Sequence, residues 1–275
     1  MRLAGCILLL AGGLVFAQDP ALKPHLRTVP ADATELAAIT ERGRALAAYD
    51  AAAWYASDAV QALNPLEERI GMFLGHKTDA GWVMGFGQLN KAQDKFLLWY
   101  EAVPTANVKK PDVKVHEPAL EDTGDWLHAA RAFERFKPEL SSHGRPYNLA
   151  VLPAPEGRWF VYSYPAQTDL KVFPYGADVR YTVSPDGTAV EDTHRMHASL
   201  LENGQPANGA KTEMTYRTAF LDDAPEDTDV ADVIMMGHIP MVIAARTFVY
   251  RIEADGTAKY VAPTKVFLKD AKKPK

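Results

Sequence analysis

The segment VEDTHRMHASLLE, residues 190–202, sets His194 and His197 three apart with acids on either side. Two imidazoles and a carboxylate make up the ligand set of a hydrolytic zinc site, provided that they share a face. If the chain leaves the Asp186-Gly187 turn as a strand, His194 points with Val190, Asp192 and Met196, while His197 points the other way with Glu191, Thr193 and Arg195. The two rings then cannot share an ion. Chelation needs the chain to turn helical near Arg195, and no cap announces such a turn. His238, in MMGHIP, stands before Ile239-Pro240 and reads as a hydrogen-bonded structural histidine at a turn. The residues therefore lead us to expect no catalytic group, no metal and no cofactor. His194, His197, His238 and Asp229 are the ligand candidates should a metal-dependent hydrolase be the correct alternative.

Other chemistry-bearing patterns fail on spacing. The chain has no Gly-x-Ser-x-Gly elbow, no Walker loop, no Gly-x-Gly-x-x-Gly fingerprint and no His-Glu-x-x-His helix. SSHG, Ser141 to Gly144, puts serines beside His143, but neighbours in sequence do not make a catalytic pair, and a solvated loop accounts for them. Asp227-x-Asp229 begins like a calcium loop, yet Ala231 and Asp232 occupy the positions of a third ligand and the turn glycine.

One longer stretch, YRTAFLDDAPEDTD, has the spacing of a known signature. It resembles a degenerate JAB/MPN metalloprotease motif, His-x-His-Pro, six residues, then Ser-x-x-Asp. In that family the two histidines and the aspartate bind zinc, and an upstream glutamate activates a water. Here Tyr216 and Thr218 stand at the histidine positions, Ala219 at the proline, Glu226 at the serine and Asp229 at the aspartate. The resemblance spans residues 175–262. It implies a pseudoenzyme, because tyrosine and threonine cannot replace two neutral imidazoles on zinc. Read without it, the segment is a solvated acidic loop in which Asp227 or Thr228 caps a helix through Met235.

The elements that must position these residues follow from periodicity and turn chemistry. Asp32-x-x-Glu35 is a capping box, and Leu36, Ile39, Gly43, Leu46, Tyr49, Ala53, Ala56, Val60 and Leu63 recur in steps of three or four, predicting a long helix to Asn64-Pro65. GWVMGFGQL and KFLLWYEAV predict a β-hairpin around NKAQD. VPTANVKKPDVKVHEP reads as a polar connection. Asp122 or Thr123 caps a second helix with Trp126, Ala130, Phe133 and Phe136 on one face, ended by Pro138. VRYTVSPDGTAV and FVYRIEADGTAKYV predict two hairpins turning at Asp-Gly, with Gly187 and Gly256 supplying the positive φ. The fold expected is α+β, a long N-terminal helix packed with antiparallel hairpins and a second helix. The expected divisions are 1–17 leader, 18–104 helix plus hairpin, 105–121 connection, 122–268 α+β region and 269–275 basic tail.

The leader fixes the expected compartment. Arg2 precedes an apolar run to Val15-Phe16-Ala17, shorter than the roughly 20 residues of a membrane span, so we expect a signal peptide cleaved after Ala17. LAGC, ending at Cys6, precedes the apolar run and so fails as a lipoprotein site. Cleavage removes the one cysteine, excluding disulfides and thiolate chemistry, and removes Arg2 without an acid, taking the formal charge from −5 to −6. That charge disfavours nucleic acid and anionic lipid as partners. No Asn-x-Ser/Thr sequon occurs. The expectation is a periplasmic or secreted protein without a membrane span after processing. Its role is non-enzymatic binding or structure in the envelope, with a peptide or envelope component as ligand. Trp82, Trp99, Tyr100, Trp159, Tyr162 and Tyr164 are candidates to line such a groove.

Overall fold

The computed structural model describes residues 24–204 and 210–271; the leader with its cleavage site and Cys6, and residues 272–275 of the tail, lie outside them. Helix α1, Ala33–Gln61, starts where Asp32 accepts the Glu35 backbone N–H. It buries every residue of the expected stripe except Leu63, which lies past the helix end and is exposed. Four antiparallel strands follow as a meander: β1 Met72–Thr78, β2 Gly81–Leu89, β3 Phe96–Val103 and β4 Asp112–Asp122. The expected hairpin is β2–β3, whereas most of the expected connection is strand β4, paired with β3 along the edge of the sheet.

Helix α2, Asp125–Phe136, is held at its start by Asp122, whose Oδ1 accepts the N–H of Gly124 and of Leu127. After the short α3, Glu139–Ser142, a second antiparallel sheet runs in the order β5-β6-β8-β9, with β5 Tyr147–Pro153, β6 Trp159–Pro165, β8 Val179–Val183 and β9 Val190–Arg195. Strand β7, Val172–Gly176, leaves that sheet to pair with β10, Leu200–Gly204. The last sheet has the order β11-β12-β13-β14, with β11 Thr215–Thr218 parallel to β12 Met241–Ala244, and β13 Phe248–Ile252 and β14 Ala258–Pro263 antiparallel. Helix α4, Asp227–Met235, lies between β11 and β12 in sequence, and α5, Thr264–Ala271, ends the described chain. The α+β class is thus observed. No helix among the described residues is long and apolar enough to cross a membrane.

Helix α1 is the spine on which these layers meet. Its second half, Leu46 to Val60, packs against Trp82, Met84 and Tyr100 of the meander and against Ala150, Leu152 and Tyr162 of the second sheet. Its first turns, Leu36 and Ile39, pack with Val230 and Val233 of α4 and with Ile243, Tyr250 and Ile252 of the last sheet. Helix α2 covers the opposite faces of the first two sheets through Leu127, Ala130 and Phe133, which meet Leu74, Leu98, Val151 and Val161. The α1–α4 crossing is close at Gly43, where an added Cβ would lie 2.4 Å from the Asp227 carbonyl oxygen. The contact brings the first turn of α4 into the interior, and that turn is acidic.

Candidate functional site

The first turn of α4 carries Glu226, Asp227 and Asp229, all buried, with Asp232 one turn further on. Acids suit the positive end of a helix, but buried carboxylates also need partners. The fold brings in three arginines from three elements. Arg42 of α1 grips Asp227 with Nε at 2.9 and 3.0 Å from the two oxygens. Arg180 of β8 reaches the same Oδ2, and Tyr162 of β6 donates to it at 3.0 Å. Arg217 of β11 contacts Asp229 closely and lies 3.7 Å from Asp232.

The two histidines of the opening segment both arrive at this turn. Cross-strand pairing sets His194 opposite Arg180, and His194 Nε2 lies 2.9 Å from Glu226 Oε2. Strand β9 ends at Arg195, so the alternation expected to carry His197 to the opposite face stops before it. The chain bends, and Met196 and His197 are both buried. His197 Nδ1 lies 2.6 Å from Asp178, and its Nε2 meets Arg217 and lies 3.6 Å from Asp229. Guanidinium has no acceptor, so Nε2 must accept from Arg217 and the ring proton sits on Nδ1, donated to Asp178. Both ring nitrogens are occupied.

Burial and pairing act in opposite directions on these acids. Burial pushes Glu226 up to about 7, and burial likewise holds Asp232 well above the carboxylate range. The hydrogen bond to Glu226 raises His194 against the opposing effect of burial, so this pair shares a proton near neutral pH. Burial alone would raise Asp178, but His197, Thr228 and Arg217 together hold it below the usual range. Asp227 faces Arg42 and Arg180, Asp229 faces Arg217, and Asp178 faces His197. Pairing of this kind offsets the cost of taking the carboxyl and guanidinium groups out of water.

Of the four candidate ligands, the structure brings only His197 and Asp229 together, with Arg217 between them. His194 is engaged by Glu226, and His238 is exposed with Nδ1 donating to the Ala254 carbonyl at 2.8 Å. Among the described residues no three His, Cys, Asp or Glu side chains are grouped to hold a metal ion. The positions of the JAB/MPN-like spacing are divided in the same way: Tyr216 and Thr218 face outward from β11, and the residue that reaches Asp229 is Arg217 between them. Gly187 and Gly256 take φ of 77° and 86°.

Beside the cluster lies a cavity of about 660 Å³ bounded by α1, β5 to β7 and α4, within the range of small-molecule sites. Asp178 and Asp232 reach its wall from the cluster, and Asp50 of α1 faces it from the other side. Asp50 accepts from Tyr164 at 2.6 Å, and burial raises it. Of the aromatic residues proposed as groove lining, only Tyr164 is on this cavity; Trp82, Tyr100, Trp159 and Tyr162 are buried in the cores. The rest of its aromatic wall is Tyr49, Trp54, Tyr55, Phe73, Phe173 and Tyr175. A second hollow of about 500 Å³ between α1 and β14 is lined by other residues, among them Thr40, Glu41 and Arg44. No protein-family model, no curated protein and no solved structure matches the chain.

Proposed function

We propose that the protein is an exported envelope protein that binds a small ligand, and that the charge cluster is the scaffold of its site. The observation that carries this reading is the closure of His197: Asp178 takes one ring nitrogen and Arg217 the other, leaving no lone pair for a metal, a nucleophile or a substrate proton. The neighbouring cavity, by contrast, has room and polar groups with unused capacity. Asp178, Thr228 and Asp232 belong to both, so the cluster fixes the cavity wall by locking α4 against β8, β9 and β11. Such support is what a preformed site requires. The export component rests on the leader, and N-terminal sequencing of envelope-purified protein is expected to begin at Gln18.

Trp54 supplies the functional test, since it lines the cavity yet is 52% exposed. Its fluorescence should respond to ligands that enter, and Ala166→Trp should abolish binding, because Ala166 lines the cavity and does not touch the cluster. Its melting temperature should stay within a few degrees of wild type. Undiminished binding in Ala166→Trp, or a hydrolytic turnover lost in His197→Ala, would contradict the reading.

A further inference from the structure

The charge character of the cavity is one-sided. Four aspartates line it, Asp50, Asp58, Asp178 and Asp232, and no lysine or arginine does so among the described residues. An anionic ligand would find repulsion, with the imidazole of His238 as the basic side chain on the lining. The aromatic faces around these acids suit a cation, because the ring quadrupole attracts positive charge while the ring carbons cover an apolar body.

The acids differ in what they have to spare. Asp178 is committed to His197, and Asp58 lies at the exposed rim. Asp232 is only 8% exposed, and its Oδ2 has no hydrogen bond among the described residues. Its nearest cation is Arg217 at 3.7 Å, already engaged more closely by Asp229. A buried carboxyl oxygen left without a hydrogen bond calls for a partner. Among the described residues Asp50 accepts a side-chain hydrogen bond from Tyr164, on Oδ1, which leaves its second oxygen to a ligand.

The geometry points to an organic ammonium ion as the ligand: a primary or quaternary amine with an apolar body, drawn in by the acids that line the cavity, Asp50 and Asp232 foremost, its body lying against Trp54, Phe173 and Tyr175. This inference rests on the cavity being the binding site. It also explains why two carboxyls are kept in surroundings that favour their protonated forms. A cation entering the cavity restores the charged forms, so binding is accompanied by proton release and tightens as pH rises.

The test titrates the purified mature protein with phenethylamine, benzyltrimethylammonium, 2-phenylethanol and 3-phenylpropionate, reading Trp54 fluorescence and heat in two buffers of different ionisation enthalpy. Expected are binding of both cations, at least tenfold weaker binding of the alcohol, none of the carboxylate, and buffer-dependent heats that report proton release. Asp50→Asn and Asp232→Asn should each weaken the cations at least tenfold while melting no lower than wild type. Equal binding of alcohol and amine, or preference for the carboxylate, would overturn the cation inference and leave the cavity as the site. No response to any of the four at millimolar concentration would overturn both.

Discussion

Replacing Gly43 by alanine sets two effects of opposite sign against each other. In an exposed helix the change favours the helix by about 1 kcal/mol. At this crossing the new methyl would lie 2.4 Å from the Asp227 carbonyl oxygen, 2.4 Å from Val230 Cβ and 2.7 Å from Val230 Cγ1. Carbon contacts settle near 3.5–4.0 Å, so α1 and α4 must separate by roughly 1 Å. Overpacking of this kind costs about 1–3 kcal/mol. Separation also stretches the Arg42–Asp227 pair, now at 2.9 and 3.0 Å, and a hydrogen bond to a charged group contributes about 1.5–3 kcal/mol when intact. Taking half of that as lost and subtracting the propensity gain, Gly43→Ala should destabilise by about 2 kcal/mol. Urea unfolding followed by far-ultraviolet circular dichroism measures it, with no change in slope expected. An unchanged or raised midpoint would mean that propensity wins, and that the helices do not meet at Gly43 as described.

The two Asp-Gly turns should respond unequally to alanine. Both glycines have positive φ, costing about 1 kcal/mol for any other residue, but a Cβ on Gly187 would lie 2.0 Å from the His128 carbonyl oxygen. On Gly256 the nearest atoms are side-chain carbons at 3.1 and 3.2 Å, so Gly187→Ala should lower the melting temperature more than Gly256→Ala; the reverse order would remove the proposed packing of that turn on α2. Stability should also depend on the Glu226–His194 pair. Both groups hold their protons more tightly folded than unfolded, so their contribution is full at low pH and declines as pH rises from about 4.5 through 7. Glu226→Gln, which cannot ionise, should flatten the loss between pH 5 and 8 by about 1 kcal/mol or more, and parallel profiles for variant and wild type would refute the shared proton.

The α1 stripe was legible because one face of a helix is buried along its length, which turns periodicity into a statement about burial. Strand β4 was not, for a matching reason. It is an edge strand largely exposed on both faces, so it shows no alternation, and its lysine, glutamates and Pro118 are the composition that edges and linkers share. Within the site, the sequence drew attention to His194, His197 and Asp229, and two of these meet. It could not supply Arg42, Arg180, Arg217, Tyr162 and Asp178, because they come from α1, β8, β11, β6 and the residue before β8. One signal was available. DTDVADVIM places three aspartates in a short helix with valines on the same turns, and Arg217 sits alone on the inward face of β11; each is a charge where an apolar residue would otherwise be buried. The cavity had no such signal, since Asp50, Trp54, Phe173 and Asp232 lie far apart in the chain.

The most direct test of a ligand site built on a closed scaffold is one spectrum that sees both parts. Protein labelled with nitrogen-15 at histidine and tryptophan can be titrated with benzyltrimethylammonium and then with one equivalent of zinc, following the ring nitrogens of His197 and the indole N–H of Trp54. The expected result is a shift of Trp54 with the cation, while His197 keeps its proton on Nδ1 and its Nε2 as acceptor throughout, zinc included. A silent Trp54, or His197 ring signals that move stoichiometrically with zinc, would contradict it and return His197 to the role of a metal ligand.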